Sequence, residues 1–263
     1  MSDSSAREIR LSVAIITYNE EENIGRCLAS VQDIADEIVV VDSFSTDKTE
    51  EICRSFGVRF IQHTFEGHVE QKNVALDSTT HEYVLSLDAD EALSDALRRS
   101  IVQVKSDFVH DGYSFNRLTN YAGQWIRHCG WYPDRKLRLW RKSQGRWGGD
   151  NPHDKVIMRD GATTAHLTGD LLHYSYRDLA HHIQKMDYLT TISARVAFEN
   201  GKRASLARIL MALPFNFLRD YIIKGGFRDG YYGLLICYNG GYSKFLKYAK
   251  LRLLWREARE NQA

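Results

Sequence analysis

Long apolar runs are missing from this 263-residue sequence. The longest, Ile209 to Phe215, falls far below the roughly 20 residues that span a bilayer, so no membrane-crossing helix is expected. The amino-terminal stretch is polar and charged with no apolar h-region, so no signal peptide is expected either. Cysteine is scarce. Cys27, Cys53, Cys129 and Cys237 are scattered, with no Cys-x-x-Cys pair, which excludes a disulfide framework and points to a reducing cytosol. Of the 3 prolines, Pro133 and Pro152 fall in one irregular region. No repeat or low-complexity stretch is visible.

The net charge of +1 has no direction as a whole, but it is unevenly spread. Residues 202–263 hold 12 Lys and Arg against 4 Asp and Glu, a balance of +8, which leaves −7 for the first 201 residues. Such asymmetry suggests that the tail meets something anionic. The length suffices for one large domain, or a domain with an appendage.

Strand-like runs alternate with helical patterns over the first 90 residues. Leu11–Ile16 reads as a strand, and Asn19 with Glu22 reads as a capping box for a helix whose buried face is Ile24, Cys27, Leu28 and Val31. A strand at 37–41, a helix at 46–55, a strand at 58–62, a helix at 68–77 and a strand at 82–87 follow. This alternation predicts βαβ units and a mostly parallel sheet. Short β-like pieces at 113–118, 136–140, 154–158 and 162–166 then alternate with loops, long enough to be functional. From Arg177 the chain turns helical. A helix over about 203–223 carries Leu206, Leu210, Leu213, Phe217 and Tyr221, with a kink expected at Pro214. Tyr242 to Trp255 mixes aromatic, Leu, Lys and Arg side chains, a composition suited to a membrane surface or to ordinary helical packing.

Asp88-Ala89-Asp90-Glu91 follows the apolar run Tyr83-Val84-Leu85. Two carboxylates beyond a strand's carboxyl end suit a hard divalent cation that shares its remaining positions with phosphate. A solvated loop before a helix capped by Ser94 or Asp95 is the plain alternative.

Thr17-Tyr18-Asn19-Glu20, Asp42-Ser43-Phe44-Ser45-Thr46-Asp47, Gln71-Lys72-Asn73 and Asp88-Ala89-Asp90 occur in that order after or between the predicted strands. Together they resemble the nucleotide-sugar half of family 2 glycosyltransferases, strongly over 11–105 and more loosely over 106–175. Lys136–Trp140, Asn151-Pro152-His153-Asp154 and Leu172-His173-Tyr174 are similar to the lipopolysaccharide-core glucosyltransferase subgroup. The resemblance implies an α/β GT-A fold over 1–175, Rossmann-like with a mostly parallel sheet, and a helical, basic, membrane-associating extension over 176–263. It implies an inverting transfer of a hexose, glucose from UDP-glucose, to an inner-core heptose. An exopolysaccharide lipid intermediate or a non-catalytic nucleotide-sugar module is the alternative.

Site residues implied by the resemblance are Thr17, Tyr18, Asn19, Asp42, Lys72 and Asp88 for the nucleotide sugar. Asp90 and His173 would bind Mn²⁺ or Mg²⁺. Ser43-Phe44 departs from the acidic or small residue followed by Gly that many relatives have. Lys72 either reaches the nucleotide or is a solvated helix charge. Inverting transfer also needs a base for the acceptor hydroxyl, with Asp154 or Asp150 as candidates. Arg135, Arg138 and His153 would hold diphosphate or acceptor. Expected partners are a UDP-sugar, a lipid-linked acceptor and an anionic membrane surface rather than nucleic acid, with the protein peripheral at the cytoplasmic face of the inner membrane.

Overall fold

The computed structural model describes residues 9–149 and 154–260. Its first half alternates β1 (Leu11–Thr17), α1 (Ile24–Val31), β2 (Glu37–Asp42), α2 (Thr49–Ser55), β3 (Arg59–Gln62), α3 (His68–Asp77) and β4 (Tyr83–Asp88). These strands pair in parallel in the order β3-β2-β1-β4. Val39, Val40 and Val41 are all buried. That continuous run is what a parallel strand covered on both faces requires.

The sheet then becomes mixed. β5 (Glu91–Leu93) and α4 (Asp95–Ser106) lead to β6 (Gly112–Tyr121), β7 (Gln124–Ile126), β8 (Asp134–Arg141), β9 (Gly145–Gly148), β10 (Lys155–Met158) and β11 (Thr164–Tyr176). The order continues β4-β8-β6-β11-β5, with antiparallel pairing at β4–β8, β6–β8 and β5–β11. β5 is a strand where sequence suggested a loop, and β11 extends far past the expected 162–166. Their mutual pairing explains both: a three-residue strand carries no periodic signal, and β11 has mixed polarity.

The chain divides into two compact units, Met1–Arg117 with Asp134–Tyr174, and Leu118–Pro133 with Ser175–Ala263. Residues 118–133, expected in the first domain, belong to the second unit. In the first unit the sheet has a core on each face. Ile24, Cys27, Leu28 and Val31 of α1 join Leu97 and Ile101 of α4 on one face, while Ala75 and Leu76 of α3 pack with Trp140 and Trp147 on the other. The buried face of α1 is the one its spacing predicts. Its cap is not: the helix starts after Asn23 without a side-chain cap, because the Asn19 amide is spent elsewhere. Ser94 caps α4, accepting from the Leu97 N–H at 3.3 Å.

The second unit contains α5 (Leu179–Glu199), α6 (Leu206–Leu218), a π-helical turn at Arg219–Ile223, and α7 (Gly230–Glu260). Pro214 stands inside α6 without ending it. One small core gathers Tyr121, Ile126, Cys129, Ile236 and Cys237; another gathers Ala194, Ala197, Ile209 and Leu251. Burial lowers the pKa of His182 to about 4, and the Tyr121 hydroxyl stands 3.0 Å from its Nδ1. No described helix is long and apolar enough to cross a membrane.

Gly169 sits at φ +106°, and a Cβ there would fall onto the Leu97 backbone. Gly169→Ala is expected to lower unfolding free energy by about 3 kcal/mol or more in urea titration, since both the conformation and the space exclude a side chain.

Candidate active site

Parallel register brings the sequence motifs to one edge. Thr17 pairs with Asp42, and Ile16 with Asp88, so β1, β2 and β4 release their carboxyl ends side by side. Ligands of open α/β sheets bind at that edge.

The loops after β1 and β2 are tied to each other. The Asn19 N–H donates to Ser45 Oγ at 2.8 Å, and the Thr46 N–H donates to Asn19 Oδ1 at 2.8 Å. Asp42 is fully buried and accepts from both the Ser45 N–H and its hydroxyl. It therefore builds the turn from a position closed to solvent, and each of its oxygens keeps a second acceptor site. Asn19 (φ +52°) and Phe44 (φ +61°) occupy the left-handed region. Asn tolerates it; a bulky Phe does not, and held strain of this kind gathers at functional loops. Tyr18 is 58 % exposed and Phe44 52 %, leaving two aromatic faces available at the loops. Thr17 Oγ1 is buried with no hydrogen-bond partner.

Below the loops lies a network of buried charge. Lys72 Nζ lies 2.9 Å from Asp88 Oδ1 and 2.7 Å from Asp154 Oδ2. Arg138 Nη2 lies 3.1 Å from both Asp88 Oδ2 and Glu91 Oε1. Arg117 reaches Glu91 at 3.3 Å and Asp134 at 2.8 Å. Glu91 is inaccessible to solvent and also accepts from the Asp88 N–H at 3.0 Å. Trp147 covers the cations, its ring centre 4.4 Å from Lys72 Nζ and 4.9 Å from Arg138 Cζ. Burial alone would raise the Asp88 carboxyl, but the Lys72 and Arg138 charges overrule it and hold Asp88 well below the usual carboxylate range. Burial likewise opposes the Arg138 charge, and Glu91 and Asp88 overcome it.

Asp90 turns to a different partner. β5 pairs with β11 so that Glu91 faces His173, and the Tyr174 N–H donates to the Asp90 carbonyl at 2.8 Å. The outcome is His173 Nε2 3.2 Å from Asp90 Oδ2. No group of three or more His, Cys, Asp or Glu side chains is gathered for a metal among the described residues. The pair nevertheless fits a hard cation. Neighbouring ligands of an octahedral ion bound at about 2.1 Å stand roughly 3 Å apart, and such ions take one or two protein groups plus phosphate. His173 Nδ1 is buried without the partner that usually fixes a metal-bound imidazole, which makes Asp90 the stronger donor.

Thus Lys72, Asp88, Arg138 and Asp154 form one cluster, and Asp90 with His173 another. Lys72 is buried, not a solvated helix charge. Asp150 and His153 lie outside the described residues. Arg135 is exposed and apart from the cluster, whereas Arg138 is the extra residue of a β-bulge in β8, skipped between the pairs Tyr113–Leu139 and Ser114–Leu137, and is buried. Glu91 and Arg117 were not assigned from sequence. Arg117 had a signal, being the lone charge in β6; Glu91 had none beyond its neighbours.

Because the folded Asp88 pKa lies below the unfolded value of about 3.9, its contribution is present above that pH and fades as pH falls through it. Asp88→Asn is expected to lose about 2 kcal/mol at pH 7. Its deficit against the parent should shrink from pH 5 to pH 3, as followed by denaturant melts.

The family described as Glycosyl transferase family 2 matches residues 12–161. The Rhizobium meliloti lipopolysaccharide core biosynthesis glycosyltransferase LpsC is 31% identical over 256 residues, covering 93% of this chain and 92% of its own. An uncharacterized glycosyltransferase of Rickettsia typhi, RT0209, is 29% identical over 95% of this chain and 89% of its own. Among solved structures, Staphylococcus aureus TarS 1-349 aligns over 95% of this chain and 92% of that chain, with 14% identity and a TM-score of 0.45. The strand-end motifs and the match over most of the first unit make this chain a member of glycosyltransferase family 2.

Proposed function

We propose that the protein is an inverting, metal-dependent hexosyltransferase that moves glucose from UDP-glucose to an inner-core heptose of lipopolysaccharide at the cytoplasmic face of the inner membrane. The observation that carries the reading is the charged edge at the ends of β1, β2 and β4, where Lys72 joins Asp88 to Asp154 two residues from the Asp90–His173 pair. The lipopolysaccharide acceptor draws its support from the likeness to LpsC.

Donor recognition starts at the loops. Tyr18 offers a ring face to the uracil, Thr17 an unpaired hydroxyl, and the tied Asn19–Thr46 loops a fixed backbone. The diphosphate then meets a problem of charge. Lys72, Arg138 and Arg117 are already matched by Asp88, Glu91, Asp154 and Asp134, so the cluster has no cation to spare. A divalent ion held by Asp90, with His173 beside it, would supply the missing positive charge and stabilise the departing UDP. Lys72 is placed to shift part of its charge from Asp154 toward the diphosphate.

Asp154 takes the proton from the acceptor hydroxyl as that oxygen attacks the anomeric carbon on the face opposite the diphosphate. The C–O bond to the sugar forms while the bond to UDP breaks, which inverts the anomeric centre. Lys72, at 2.7 Å, fixes the Asp154 carboxylate and links it to the donor side.

The test is transfer of labelled glucose to heptose-terminated core lipid, with Mn²⁺ or Mg²⁺ and with chelator. Asp90→Ala and Asp154→Asn should each lower kcat by about 100-fold or more. His173→Ala should cost less than Asp90→Ala, and Lys72→Met should raise the KM for UDP-glucose. Full turnover in chelator, or in both aspartate variants, would overturn this mechanism.

A further inference from the structure

The C-terminal unit leaves one helix face uncovered. α6 buries Ile209 and Ala212, and it runs so close to α7 that a Cβ at Gly241 would lie 2.7 Å from the Leu213 carbonyl. The opposite face is apolar as well. Leu206, Leu210, Met211, Phe215 and Leu218 follow one another along it, Ile222 continues the stripe into the π-helical turn, and each is more than half exposed. Ile223 beside them is 81 % exposed. Single exposed apolar side chains are ordinary, but a continuous row on one helix marks a docking surface.

What covers it is indicated by charge. At the amino-terminal end of α6 a cavity of about 690 Å³ is lined by Arg203, Arg252, Arg256 and Arg259 around Trp255 and Ile209, with one carboxylate, Glu260, paired to Arg256 at 2.7 Å. The Arg203 guanidinium lies 4.6 Å from the Trp255 ring centre, and the indole N–H donates to the Lys202 carbonyl at 2.7 Å. Guanidinium forks match phosphate oxygens, and indole rings favour the headgroup level of a bilayer. A second copy of this chain would set one +8 tail against another. An anionic lipid surface is complementary to both features.

We propose that α6 and the turn after it lie in the plane of a membrane, the stripe against acyl chains and the arginine-lined cavity holding an anionic headgroup phosphate. The apolar part of the membrane face is thus α6, and the end of the Tyr242–Trp255 segment adds Arg252 and Trp255 at the headgroup cavity. The inference deepens the reading of a membrane-borne acceptor and rests on it for its purpose. Its test needs no turnover, so the two can fail separately.

Flotation of the full chain is measured with phosphatidylcholine vesicles and with the same vesicles containing phosphatidylglycerol. The parent should bind the anionic vesicles at least tenfold more tightly, and less so as salt rises. Leu210→Ser/Phe215→Ser should weaken that binding at least tenfold. Arg252→Ala/Arg256→Ala should remove most of the preference for anionic lipid while leaving the residual binding to phosphatidylcholine. Ile223→Ser serves as a second apolar variant, and unchanged thermal melting confirms folding in each case. Equal binding by parent and apolar variants would overturn the proposal. So would a parent dimer in sedimentation that Leu210→Ser/Phe215→Ser dissociates, since the occupant would then be a second copy.

Discussion

Arg138 lies between Asp88 and Glu91, and the active-site edge depends on that buried contact. Taking these charges out of water is costly, and removing one partner of such a set leaves another uncompensated. The set is therefore stable only as a whole: Glu91 holds Arg138 and Arg117, Arg138 holds Asp88, and Asp88 shares Lys72 with Asp154. Each side chain comes from a different element, so the network pins α3, β4, β5, β6 and β8 to one another. The site is rigid where the chemistry needs fixed charges.

The same closure shapes the chemistry. A cluster that has already neutralised its cations has little attraction for a diphosphate, and in the proposed reaction a metal ion on the Asp90–His173 pair would provide it. Lys72 connects the donor and acceptor sides, touching a carboxylate at a strand end and the candidate base. One ammonium thus ties two carboxylates together.

The C-terminal unit follows another logic. α6 buries Ile209 and Ala212 against its neighbours and keeps Leu210, Phe215 and Leu218 outside. A helix meeting only water would not gain from that distribution. With the arginine-lined cavity at its end, the face suits a surface that is apolar within and anionic at its rim.

Much of the fold was legible in the sequence. Spacing sufficed for the buried face of α1, continuous apolar runs for the parallel strands, and the strand-end motifs pointed to the family, because these signals are local to one element. The Asn19 capping box was a local signal that a tertiary contact overrode: its amide oxygen takes the Thr46 N–H. Which face of α6 is buried was undecided by composition, since both faces are apolar and only packing against α7 separates them.

The sequence by itself determined the order of strands and helices up to β4, the loops there that carry polar residues, and the charge asymmetry of the tail. Tertiary structure alone decided which of those residues meet. Asp88 and Asp90 are neighbours in the chain, yet one faces Lys72 and Arg138 and the other His173, because strand pairing across distant segments assigns each its partner. Arg135 and Arg138 look alike in a line of letters and part company in the fold, where a β-bulge at Arg138 breaks the regular alternation and buries that side chain while Arg135 stays exposed.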